Sequence, residues 1–160
     1  MPDGSGQVAG GDGAAAVAAR RAVMATCAEA RGGELDAALA ALGRVEGATD
    51  LRPPETGLVM LRGRMDGEGR RFNLGEATAT RAAVRLPTGE TGHAYHLGRD
   101  GPRARAAALL DALWQRRPRE VEAALAPVAA RLEAERALAA RRTAATRVDF
   151  FTMVRGEDAR

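Results

Sequence analysis

The sequence predicts an α+β domain: two N-terminal helices, an antiparallel sheet of about four strands, and C-terminal helices that run into an extended C-terminal arm. Three observations carry that expectation. Alanine-rich segments with larger apolar residues at helical spacing stand toward both ends of the chain. The middle alternates as half-buried strands do, with Gly-containing turns between the runs. Prolines mark the joins, at Pro53 and Pro54 before the strands and at Pro118 between the last two helices.

The elements follow in order. Residues 1–13 are Gly-rich with almost nothing to bury, and are expected to form a disordered leader outside the fold. From Ala14 to Ala30, Val17, Met24 and Cys27 recur near helical spacing, giving a first helix ended by Gly32 and Gly33. Leu35, Leu39 and Leu42 give a second, from Glu34 to Leu42. Leu58 to Arg64 reads as the first strand, and Met65-Asp66-Gly67-Glu68-Gly69 supplies a turn before Arg70 to Leu74. In Ala77 to Leu86, Thr78, Thr80, Ala82, Val84 and Leu86 share one face while Arg81 and Arg85 take the other. A turn at residues 87–90 leads to the partner strand Thr91–Leu97. Asp100 and Pro102 then open a helix with Ala106, Leu109, Leu110 and Leu113 as its stripe. A last helix spans Arg119 to about Ala145, interrupted or kinked at Pro127, with a stripe of Val121, Leu125, Val128 and Leu132 that thins out afterwards.

The length suits one hydrophobic core, so residues 14–146 are expected to be a single domain and residues 147–160 an arm beyond it. Only 3% of the residues are aromatic and much of the apolar fraction is alanine, so the apolar area available per residue is small. All 24 basic residues are arginine, but 21 carboxylates are interspersed with them. That pattern suits ion pairs and solvated helix faces better than a nucleic-acid stripe, so no nucleic-acid partner is expected. One cysteine excludes an internal disulfide and a cysteine-rich zinc site. No signal-like N-terminus or apolar run of membrane-spanning length stands out, so a cytoplasmic protein without a membrane partner is expected.

No self-contained active site is legible. His93 and His96 are the only histidines, and their odd separation in a strand sends them to opposite faces, away from a shared metal ion. Cys27, beside Met24 on an alanine helix, reads as a small core residue rather than a nucleophile. Gly63, Gly67 and Gly69 lack the spacing and the lysine of a phosphate loop and read as turn glycines. Arg81 and Arg85, on the outer face of their strand, are the candidates for phosphate contact, because guanidinium forks bind phosphate oxygens.

The stronger signal is RVDFFTMVRG, Arg147 to Gly156, which holds two of the three phenylalanines. Read as a strand, it places Val148, Phe150 and Val154 on one face and Phe151 and Met153 on the other, so it needs cover on both sides. That cover is either the chain's own sheet, with the segment folded back, or a partner subunit; on the second reading Phe150 and Phe151 are the anchors, with Arg147, Asp149 and Arg155 as a polar rim.

That segment, with Glu55–Met65, Arg71–Leu86 and Gly98-Arg99-Asp100, resembles the PhnG family of the bacterial carbon-phosphorus lyase system over residues 14 to 158. The resemblance implies a cytoplasmic non-catalytic or accessory subunit, in which it identifies no catalytic residue and no bound cofactor, in a complex that degrades organophosphonates. It implies as partners the nucleosidase-like subunit PhnI, with PhnH and PhnJ. The implied reaction is displacement of adenine from ATP, a substrate of the complex, by methylphosphonate, giving ribose 1-methylphosphonate 5-triphosphate. The Gly-rich leader and Cys27 depart from the family pattern without touching the matching motifs.

Overall fold

The computed structural model describes residues 10–65 and 68–146. Helices α1 (Gly10–Glu29) and α2 (Gly32–Ala41) precede strands β1 (Thr49–Arg64), β2 (Arg71–Arg85) and β3 (Thr91–Leu97), and helices α3 (Gly101–Arg116) and α4 (Pro118–Ala145) follow. The sheet is antiparallel in the order β1-β2-β3. The expected leader of residues 1–13 lies largely outside the described residues, and residues 147–160 lie wholly outside them.

The sheet has three strands where the sequence suggests about four. The two runs on either side of Gly75 are one strand, β2, with an irregularity opposite Leu61 and Arg62 absorbing the break in alternation. β1 also starts earlier than expected, at Thr49, and passes through Pro53 and Pro54. It is an edge strand, where a missing N–H costs no ladder bond, and its pairing slips on both sides of Arg52 to accommodate the prolines.

α3 is the centre of the molecule. It lies against β2 and β3 on one side and against α1, α2 and α4 on the other. Ala104, Ala106 to Leu110, Ala112 and Leu113 are all buried, so the helix is apolar nearly all round. Its alanines let it approach the sheet closely. A Cβ placed on Gly92 of β3 would fall on the Ala108 carbonyl and within 2.9 Å of the Ala112 methyl, so only glycine fits there. The Asp100 side chain accepts a hydrogen bond from the Arg103 N–H at 3.0 Å and caps the helix, as its sequence suggests.

The other helices fill in around α3. α1 buries Cys27 as expected, but Val23 rather than Met24 is its other buried residue and Val17 is exposed; Ala30, just past the helix, is buried too. α4 buries Val121, Leu125, Val128 and Leu132 as expected and continues unbroken through Pro127, which sits on its exposed face. Beyond Leu132 it buries nothing further, and a lattice of ion pairs holds it instead. Arg131 bonds both carboxylate oxygens of Glu34 at 2.6 and 2.8 Å, and Arg136 reaches Glu29 at 2.7 Å. The Arg131 hydrogen bond, and then the Arg31 backbone N–H, lower the Glu34 carboxyl to about 2.

Two buried polar groups tie the layers together. The Asp111 carboxylate is almost wholly buried on α3 and accepts from Arg20 Nε and Nη2 at 2.7 Å each, and from the His93 backbone N–H at 2.8 Å. One side chain therefore links α1, α3 and β3. The Thr80 hydroxyl, fully buried, bonds the Gly98 carbonyl at 2.7 Å and the Thr56 hydroxyl at 2.9 Å.

Candidate functional site

The sheet is longer than its cover. β3 pairs with β2 only from Ala79 to Arg85, while β1 and β2 stay paired out to Arg64 and Arg71. Leu58–Arg64 and Arg71–Thr78 therefore form a two-stranded ribbon roughly 20 Å long beyond the end of β3. Both of its edges are open among the described residues, save at Thr78, whose carbonyl accepts from the Gly98 N–H at 2.9 Å. Its large side chains are exposed: Leu58 at 64%, Met60 at 51%, Leu74 at 66%, with Leu61, Met65 and Phe72 also outside. Leu58 and Met60 continue the face that carries Thr80, and Val59 and Leu61 lie on the opposite one. A lone hairpin with apolar groups on both faces is marginal in water, and an exposed apolar surface of this kind marks an interaction site.

The sheet face opposite α3 is also uncovered, and it carries polar rows beside the exposed Leu51 and Leu97. Across β1, β2 and β3, Glu55, Arg81 and Tyr95 form one row, and Arg52, Ala83 and His93 form the next. Because Ala83 is short, the second row sinks into a depression of about 310 Å³ lined by Arg52, Arg81, His93 and Tyr95 among others. A smaller one of about 120 Å³ lies on the other side of Arg81, above Gly57 and Ala79. Arg81 donates from Nε and Nη2 to one Glu55 oxygen at 3.1 and 3.0 Å. The Glu55 hydrogen bond, then that of Tyr95, raises the Arg81 pKa.

These features lie within one family match. The description Phosphonate metabolism protein PhnG fits residues 18–156. A similar protein is the alpha-D-ribose 1-methylphosphonate 5-triphosphate synthase subunit PhnG of Rhizobium meliloti (strain 1021), 56% identical over 146 residues, covering 90% of this chain and 94% of that one. The chain belongs to the PhnG family. The match takes in both strands of the ribbon, the uncovered sheet face, and Arg147 to Arg155, which lie outside the described residues.

Within this PhnG fold the candidate residues separate cleanly. Arg81 joins Arg52, His93 and Tyr95 at the larger depression, whereas Arg85 stands exposed at the end of β2, four residues further along. His93 is exposed and His96 buried, on opposite faces as the spacing requires, so they do not share an ion. Burial first, and then Arg103, lowers the His96 pKa. Burial pushes the Cys27 thiol up to about 12, which keeps it from acting as a nucleophile. Gly63 lies in β1 against the Phe72 ring, in a strand rather than a phosphate loop. Among the described residues no helix is long and apolar enough to cross a membrane.

Sequence reasoning missed the ribbon as a surface. Its signal was present: Leu58-Val59-Met60-Leu61 is apolar at both parities, which demands cover on two faces just as Arg147–Gly156 does.

Proposed function

We propose that this chain is an accessory, structural subunit of a ribose 1-methylphosphonate 5-triphosphate synthase in cytoplasmic organophosphonate catabolism. In that reaction a phosphonate oxygen bonds to the ribose anomeric carbon of ATP, and the bond to adenine breaks. The chain's part is to dock and brace the subunit that carries this chemistry, the nucleosidase-like PhnI, alongside PhnH and PhnJ. One observation carries the reading. With a core of leucines, valines and alanines already closed beneath α3, the described residues still present Leu58, Met60, Phe72 and Leu74 on a bare ribbon.

Arg147, Val148, Asp149, Phe150, Phe151, Met153, Val154 and Arg155 are a second docking element on this reading, with the two phenylalanines as anchors.

The test is co-purification with the other synthase subunits. Leu58→Glu with Met60→Glu is expected to reduce recovery of the partners to background, while circular dichroism of the variant matches the parent. Phe150→Ala with Phe151→Ala is expected to weaken recovery as well. Full recovery with the ribbon variant would contradict the proposal.

A further inference from the structure

We propose that the larger depression on the uncovered sheet face binds a phosphorus oxyanion, with Arg52, Arg81, His93 and Tyr95 as donors. The proposal deepens the subunit reading by giving this chain a direct contact with substrate. Its class is a tetrahedral phosphoryl or phosphonyl group, supplied either by the triphosphate tail of one substrate or by the phosphonate itself.

Geometry supports it in three ways. The site is concave because Ala83 leaves a floor between longer neighbours on both flanking strands, which gives about 310 Å³ of space at the surface. Its walls bring two guanidiniums, an imidazole and a phenol to one place from three different strands, so the donors are held by the sheet and not by a loop. Only one carboxylate shares the rows that line it, Glu55, and that group takes the Nε and Nη2 donors of Arg81. Arg52 pairs with no carboxylate among the described residues, and its planar fork matches a phosphoryl group. Glu55 thus holds Arg81 in place while the site is empty, and an incoming oxyanion competes for the same guanidinium. The face lies open where a neighbouring subunit can complete it.

The test uses the assembled complex, titrated by calorimetry with inorganic triphosphate in one arm and methylphosphonate in the other. Arg52→Ala with Arg81→Ala is expected to weaken one of the two anions about tenfold or more, and the affected arm identifies the source. Glu55→Gln frees Arg81 with both arginines in place, so it is expected to tighten the same anion about threefold. Both variants are expected to co-purify with the partner subunits as the parent does. Unchanged affinity for both anions in the double variant, or weaker binding in Glu55→Gln, overturns the site while leaving the subunit reading intact. Failure of the parent chain to co-purify counts against the subunit reading instead. Should the double variant fail to assemble, Glu55→Gln alone decides, by the direction of its effect.

Discussion

β2 passes through two different worlds, whereas β1, on the edge, is exposed along nearly all its length. From Ala79 to Arg85, β2 lies between β1 and β3 under α3, and its inward side chains are Thr80, Ala82 and Val84, all buried. From Arg71 to Thr78 the same strand has one neighbour and no helix, yet there it carries Phe72 and Leu74, both exposed. The covered half is built of small residues and the bare half of large ones. A monomer selected only for its own stability would place them the other way round, since each large apolar side chain contributes about 1.5–3 kcal/mol when buried. On the proposed reading, the ribbon's side chains are arranged for a second molecule.

The comparison breaks most severely at the covered half. Gly92→Ala forces a methyl onto the Ala108 carbonyl and separates α3 from β3, so a loss of about 3 kcal/mol or more is expected in urea denaturation. A near-neutral result would mean that α3 does not press on the sheet as described. Asp111→Ala comes next. It strands the His93 N–H and leaves Arg20 without its partner, at an expected cost of about 2–4 kcal/mol in the same measurement.

A smaller effect sharpens the view of how α4 is held. The folded-state pKa of Glu34, about 2, is below its ordinary 4.5, so its contribution is complete above pH 4.5 and is lost as pH falls toward 2. The thermal midpoint is expected to drop across that window, and Glu34→Gln is expected to lower it at neutral pH and flatten the dependence. The smallest effect on stability belongs to the ribbon: Leu58→Ser with Met60→Ser is expected to shift the isolated chain by less than about 0.5 kcal/mol. A large shift would show that the ribbon supports its own fold.

Much of this fold was legible in the sequence, for local reasons. The α4 stripe, the Asp100–Pro102 helix start and the alternation from Thr80 to Leu86 are all written in neighbouring residues. What was not legible depends on partners far along the chain. Asp111 and Arg20 are 91 residues apart, and nothing near either one announces the pair. The need for glycine at position 92 comes from α3, not from its own turn. The depression is assembled from three strands, so Arg81 could be picked out as an outward-facing arginine, but Arg52 and Tyr95 could not be placed beside it. The ribbon escaped notice because a break near Gly75 reads as the end of a strand, when the pairing with β1 carries on past it.

The claim that the large apolar residues of the ribbon belong to a neighbouring subunit is tested most directly by hydrogen exchange on the chain alone and in its assembled complex. Residues 58–64 and 71–78 are expected to exchange much more slowly in the complex, while α3 exchanges at nearly the same rate in both. Equal exchange of the ribbon in the two states would contradict the claim.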